Sequence, residues 1–485
     1  MKDTIPTKLK ETAAGVKKRR LHPRLSLLLA IVVGLVGFVF SPNDYALPLP
    51  ALEQIPAVDL STVHSAVVFA PHNDDESLGA GGIIQVLKNQ DADVTVVLAT
   101  NGDGTIFGTM EDFHKVFPSA RDYIRMGNLR QQETLQAMQT VGLQSGDVIF
   151  LSYPDRGSLS LWERFWDCNH PYTSPFNGSD HSTYTETYHP ASVYCGSDFY
   201  QDVISILRSK KPDLVIYPNG EDVHPDHWGL SNFVRLALHT YRLEDGDAST
   251  PQELTYLVHR PDYPDPSGYR PSLGLLPPEA IYQVNQTWYR LDLSADIETT
   301  KGKAIHDYHS QYPSLKRLLE SFIRRNELFS DLPERTLPTA AAEDWLDPST
   351  WKTTDGKPVD PVQHDPVKDN FLRKAVSGTD ITNVYAIRTG DGQLNICGQL
   401  RGRTEEINQY SILIKSEHGH KFQDAEFSSA TFLHHGVAVR HGVYVCAHAS
   451  LKDLGNPNLL MISFIVRAPR LGTIDQTAWA FLDVP

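Results

Sequence analysis

Two short stretches hold the residues best equipped for chemistry. The first, AVVFAPHNDDESLGAGG over residues 66–82, runs from a β-rich apolar segment into His72, Asp74, Asp75 and Glu76 before the glycines. The second, VIYPNGEDVHPDHWGL over residues 215–230, does the same with His224, Asp226 and His227. Buried carboxylates must be paired or must coordinate a metal, because an isolated ionised group loses too much solvation. No Lys or Arg lies close to the first cluster in sequence, so a metal ion is the cation that meets the need. His72, Asp75 and His227 then form a two-histidine, one-carboxylate set that leaves coordination positions open for water, as catalytic zinc sites do. Asp74, next to a ligand but directed elsewhere, is placed to take a proton from that water. Each cluster alone also reads as a charged helix start, Pro225 being suited to the first helical position. What favours the metal reading is that both clusters end apolar strands of the kind that share one parallel sheet.

The elements that must position these groups follow from periodicity. Residues 67–70, 94–99, 148–151 and 214–217 are continuous apolar runs, the pattern of strands covered on both faces, and 253–259 is a further strand candidate. Helical stretches lie between them at 83–89, 122–141 and 199–208, and two more are expected at 295–309 and 314–329. Such alternation specifies an α/β fold, a Rossmann-like three-layer parallel sheet with right-handed crossovers, whose ligand site lies at the carboxyl ends of the strands. Residues 155–196 interrupt the alternation with an aromatic-rich, polar insertion that reads as a lid or substrate wall.

The resulting organisation is a cytoplasmic basic segment over 1–24, a signal-anchor or signal peptide over 25–40, a catalytic domain over 60–330, a linker over 331–370 and an all-β sandwich over 371–485. The run LSLLLAIVVGLVGFVF at 25–40 follows Lys17, Lys18, Arg19, Arg20 and Arg24, so the basic side stays in the cytoplasm and the rest of the chain is expected outside it. The protein is thus expected to be membrane-anchored or secreted. Segment 331–370 is rich in proline and charge, and the sandwich is read from short runs such as LNICGQL, YSILIKS and LLMISFIV with turn residues between them. Such a domain is a candidate for glycan contact. Proximity pairs Cys168 with Cys195 and Cys397 with Cys446, consistent with an oxidising compartment. The net charge of −15, with no basic stripe beyond the N-terminus, argues against nucleic acid as a partner. His434 and His435 lack the strand-end setting and are expected at the surface.

Residues 70–76, APHNDDE, resemble the defining motif of the LmbE-like or PIG-L deacetylases, zinc hydrolases that remove acetyl from N-acetylglucosamine units. Here the proline precedes the histidine and Asn73 takes its usual place, with ligand spacing unchanged. The resemblance spans roughly residues 62–330. It implies Zn2+ held by His72, Asp75 and His227, Asp74 as base, His224 as the histidine that polarises or protonates at the scissile amide, and Asp226 as the group orienting His224. It also implies that Arg130, in an arginine-xx-glutamate helix, faces an N-acetylated sugar substrate and that Asp155, ending YPD, contributes to the same surface. An exposed ion pair with Glu133 is the alternative reading of Arg130. Three other functions fit parts of the pattern: a metal-dependent esterase or phosphoesterase using the same activated water, a ferrous oxygenase, and a non-catalytic surface protein whose sandwich binds carbohydrate.

Overall fold

Seven strands build the central sheet: β1 (Ser65–Ala70), β2 (Asp93–Thr100), β3 (Val148–Tyr153), β4 (Leu214–Pro218), β5 (Gln252–Tyr256), β6 (Trp288–Asp292) and β7 (Asn326–Ser330). Their order is β3-β2-β1-β4-β5-β7-β6. The pairs from β3 to β5 are parallel, and β7 joins antiparallel to both β5 and β6. The computed structural model describes residues 49–485 except 116, 246–249, 283–285, 333, 367–375 and 431–435. The basic segment 1–24, the apolar run 25–40 and the histidines at 434 and 435 lie outside the described residues. Among the described residues no helix is long and apolar enough to cross a membrane.

Among the described residues eight α-helices accompany the sheet: α1 (Asp75–Asn89), α2 (Ile106–Asp112), α3 (Ala120–Thr140), α4 (Ser158–Glu163), α5 (Gly196–Lys210), α6 (Pro225–Asp245), α7 (Ala295–His306) and α8 (Tyr312–Glu320). Side chains alternate across a strand, so each strand of this sheet feeds two cores. Val68 and Ala70 of β1 pack with Ile83, Ile84 and Leu87 of α1 and Ala304 and Ile305 of α7. Val67 and Phe69 of the same strand point the other way, into a core with Phe199 and Val203 of α5 and Leu230 and Phe233 of α6. Coverage on both sides is why β1 reads as an unbroken apolar run and not as an alternation.

The helix expected over 314–329 stops at Glu320, and β7 follows. NELFS lies fully buried between β5 and β6, and ladder hydrogen bonding there outweighs the local helical pattern.

Two further sheets form the C-terminal sandwich, one of five strands and one of seven. Alternate residues of the strands Gln409–His418 and Leu459–Ala468 again serve two cores. Ile412, Ile414, Leu460 and Ile462 fill the sandwich interior. Leu413, Leu459, Met461 and Ile465, with Trp479 and Phe481 beside them, pack against Trp162 and Phe233 of the α/β layer. Arg235 of α6 donates to the Trp479 carbonyl at 2.9 Å.

The described residues of the segment expected as a surface linker, 331–370, are instead built into the fold up to about residue 366. Arg335–Thr336 pairs with Ala480–Asp483, Gln363–His364 pairs with Ile381–Arg388, and Trp351 is fully buried. The physical reason is that a sheet edge and an apolar patch need covering, and this segment supplies the cover. Both disulfides pair as proximity suggested: Cys168–Cys195 closes the insertion, and Cys397–Cys446 joins directly opposed residues of neighbouring strands.

Candidate metal centre

The strand order reverses at β1, whose neighbours β2 and β4 lie on opposite sides. In doubly wound sheets such a switch point opens a crevice at the carboxyl ends of the strands. The His72–Glu76 stretch leaves β1 there and the His224–His227 stretch leaves β4. Sheet order, not sequence proximity, brings them together.

Within the crevice, Asp75 Oδ2 lies 3.0 Å from His72 Nδ1 and 3.1 Å from His227 Nε2. Potential ligand atoms of His72, Asp75, His227 and a fourth residue, His259, all fall within 4.8 Å of one another. His259 follows β5, the next strand along. Asp75 and His227 are fully buried. Even so, Asp75 Oδ1 and both His227 nitrogens have no hydrogen-bond partner among the described residues. His72 Nδ1 and Asp75 Oδ2 pair at 3.0 Å, but the His227 nitrogens approach Asp75 and Asp222 without hydrogen-bond geometry, as groups that share a cation do, so the donor set fits a divalent metal. Imidazole with carboxylate is a donor chemistry that zinc and ferrous iron both accept.

Electrostatics agree. Burial disfavours the charged imidazole of His227, but Asp75 and Asp222 outweigh it and push its pKa up to about 9. Burial likewise opposes charge on His72, and Asp155, Asp226 and Asp75 together hold its pKa well above the ordinary value. Asp75 resists its own desolvation because His227 and His72 face it, and its pKa lies well below the usual range. Protons on the two imidazoles thus supply the positive charge that a metal ion would bring, and metal binding would release them.

Asp226 faces a different partner from the one expected. Its Oδ2 lies 3.1 Å from His72 Nε2 and accepts the Arg156 N–H at 2.7 Å, while Oδ1 accepts the Ser158 N–H at 2.9 Å. His224 Nδ1 is 3.9 Å from that carboxylate. The carboxylate therefore orients His72 and not His224, because the first turn of α6 points it across the crevice towards β1. What orients His224 is the backbone: the Asp226 N–H donates to His224 Nδ1 at 3.2 Å, leaving the ring proton on Nε2. Burial and the neighbouring His72 charge lower the His224 pKa to about 3, so this ring is a neutral donor.

Asp74 is buried at the start of α1 with φ of 145°, a backbone conformation rare for residues other than glycine. Burial raises its carboxyl pKa to about 7, against the pull of Arg130 3.5 Å away. Arg130 is only 4% exposed. Its guanidinium donates to the Asn73 carbonyl at 2.6 Å and to the Gly102 carbonyl at 2.9 Å, bracing the loops after β1 and β2. Glu133 accepts instead from the Ser310 backbone and hydroxyl at 2.7 and 2.6 Å, so the expected surface pair does not form. The guanidinium thus braces the loops that frame the site, while its Nε has no hydrogen-bond partner among the described residues.

Asp155 is also buried, accepting the Gly104 N–H at 2.7 Å and lying 3.5 Å from His72 Nε2. The insertion closes over the same loop: Asn177 and the Tyr184 hydroxyl donate to Asp103 at 3.1 and 2.7 Å.

Two site residues were not singled out from sequence. Asp222 Oδ2 lies 3.1 Å from His227 Nδ1, and its carboxylate accepts the backbone N–H groups of Val258 and His259. Both follow strands of the sheet, so the strand-end rule that found the other clusters would also have found them, given the true end of β5.

The fold and its donor set define a doubly wound α/β protein with a two-histidine, one-carboxylate centre at its switch point. Residues 67–238 match the family model described as PIG-L: GlcNAc-PI de-N-acetylase. This part of the chain is similar to the PIG-L, LmbE-like family. Among curated proteins it is similar to the 1D-myo-inositol 2-acetamido-2-deoxy-alpha-D-glucopyranoside deacetylase of Corynebacterium efficiens, 30% identical over 173 residues, or 35% of this chain and 47% of the relative. The Corynebacterium glutamicum protein of the same name is 28% identical, covering 35% of this chain and 50% of its own length. The chain therefore spans about half the length of the curated relatives it matches. Among solved structures, N,N'-diacetylchitobiose deacetylase from Pyrococcus horikoshii aligns over 65% of this chain and 95% of that chain, at 16% identity and a TM-score of 0.35.

Proposed function

We propose that this chain is a zinc-dependent hydrolase that removes acetyl from N-acetylglucosamine-type units, acting outside the cytoplasm. The observation that carries the reading is the convergence of His72, Asp75 and His227, with orphaned donor atoms, beside an Asp74 carboxylate whose pKa lies near neutrality. The curated relatives are named as deacetylases of an acetamido sugar, which supports the substrate class.

His72, Asp75 and His227 would hold the ion. When bound, it supplies Lewis-acid polarisation of the acetyl carbonyl and a water of lowered pKa. Asp74 accepts the proton of the attacking water, its pKa being close to the working pH as general-base catalysis requires. The Nε2–H of neutral His224 donates to the oxygen that gains charge as the carbonyl becomes tetrahedral. Because Nδ1 of His224 already accepts the Asp226 N–H, that ring is poorly placed to take up a second proton. Asp74, protonated in the first half of the reaction, returns its proton to the departing amine. Acetate and a free amino sugar result.

The N-terminal basic and apolar segments, together with two disulfides, support an extracytoplasmic, membrane-anchored or secreted setting. The test is acetate release by the full chain, with zinc, from N-acetylglucosaminyl inositol and chitooligosaccharides, alongside acetyl and phosphate esters. Release from the amides supports the reading. Turnover of esters alone would move the protein to the esterase alternative.

A further inference from the structure

We propose that His259 is a fourth protein ligand to the metal, the displaceable one. This rests on the metal-dependent reading above and extends it to a residue outside the matched segment 67–238.

Three observations converge. First, a His259 ring nitrogen belongs to the four-residue set whose ligand atoms lie within 4.8 Å of one another. Second, His259 Nε2 lies 3.7 Å from Asp75 Oδ1, the buried carboxylate oxygen that has no hydrogen-bond partner. That distance is too long for a hydrogen bond, yet close to the separation of about 3.4 Å that two donors adopt around a tetrahedral ion with bonds of about 2.1 Å. Third, the loop holding His259 is fixed through its backbone. The Asp222 carboxylate accepts the His259 backbone N–H at 3.0 and 3.1 Å while also lying 3.1 Å from His227 Nδ1, so one acid ties the His259 backbone to the His227 imidazole. An acid facing the outer nitrogen of a ligand is the arrangement that orients metal-binding histidines, and Asp222 does this for His227 while fixing the backbone of His259.

His259 differs from the other three in access. Its side chain is 27% exposed, against full burial of Asp75 and His227, and it stands 6.2 Å in ring centroid from His72 on the solvent side. Four protein donors fill a tetrahedral sphere, so water or substrate must enter as a fifth ligand or by displacing one of the four. The most exposed and least constrained ring is the one that can yield. His259 thus closes the resting centre against loss of the ion and gives way when the acetamide oxygen arrives.

The test is zinc affinity of the full chain, measured by chelator competition, for wild type, His259→Ala, His259→Gln and His224→Ala. The His259 side chain carries none of the loop's hydrogen bonds, so its loss leaves the Asp222 anchorage intact; circular dichroism of the metal-free proteins checks this, and the Gln variant serves if Ala unfolds. Replacing an outer partner of a ligand costs about 10–100-fold in affinity, so losing a ligand should cost at least tenfold. His224, which forms a second group of possible ligands with His72 and Asp226, lies outside this four-atom set, so His224→Ala should lose less affinity than His259→Ala. Unchanged affinity in both folded His259 variants would overturn the proposal, as would an equal loss in His224→Ala. Wild type that binds no zinc would instead refute the metal-dependent reading itself, a separable outcome.

Discussion

Replacing Asp74 by Asn is the sharpest perturbation of the proposed chemistry. The side chains have the same shape, and Asn tolerates positive φ at least as well as Asp, so the conformation at φ 145° survives. The buried Arg130 guanidinium keeps its two carbonyl acceptors. What disappears is the only proton acceptor in the mechanism. Positioned general bases contribute about 10²- to 10⁴-fold, so the barrier should rise by about 2.7 to 5.4 kcal/mol. Acetate release at saturating substrate should fall accordingly, while zinc affinity should match that of the wild type.

The pH profile adds a second readout. A base must be ionised to act, so wild-type activity should fall as pH drops through the Asp74 pKa. Burial sets that near 7 without an ion, and a bound cation moves the limb lower. The Asn variant should lose this acidic limb. Retained turnover within tenfold of wild type, or parallel loss of zinc, would refute the assignment of Asp74 as base.

Further outcomes follow from other contacts. Asp226→Asn should weaken zinc binding by about 10–100-fold in chelator competition, because it loosens His72, with a smaller effect on His224. Gly102→Ala should lower the melting temperature by several degrees: φ is +57° there, and an added Cβ would collide with the Arg130 guanidinium. Burial raises the Glu76 pKa to about 8 against the help of the Tyr308 hydroxyl. Between about pH 4.5 and 8 the folded state therefore holds a proton that the unfolded chain has lost, and stability falls as pH rises through that window. Glu76→Gln should flatten this decline in thermal melts at pH 5 and pH 8, since its amide still pairs with Tyr308 and the Asp74 N–H. Deleting residues 371–485 should give insoluble protein or a markedly lowered melting temperature, as Trp162 and Phe233 lose Leu459, Met461, Trp479 and Phe481. A soluble fragment melting like the whole chain would show the two layers to be independent.

Most of the site was legible because its signals are local. A strand that ends in His72, Asp74 and Asp75, and another that ends in His224, Asp226 and His227, are patterns of a few residues, and the rule that parallel strands present their carboxyl ends to one crevice does the rest. The continuous apolar runs fixed the three-layer class in the same way. Partner choice was not local. Asp226 turns to His72 across the β1–β4 switch point, Asp222 reaches His227 and the loop after β5, and Arg130 braces the loops after β1 and β2. Each depends on strand order and on the direction of a helix's first turn. The sandwich repeats the lesson. LLMISFIV reads as a sandwich strand, but only the packed structure shows that one of its faces meets its own domain and the other the α/β layer. Sequence by itself thus determined which groups stand at strand ends, since backbone periodicity is set by near neighbours. Tertiary structure decided which of them touch, because contact across a sheet is a property of its order and of every element packed upon it.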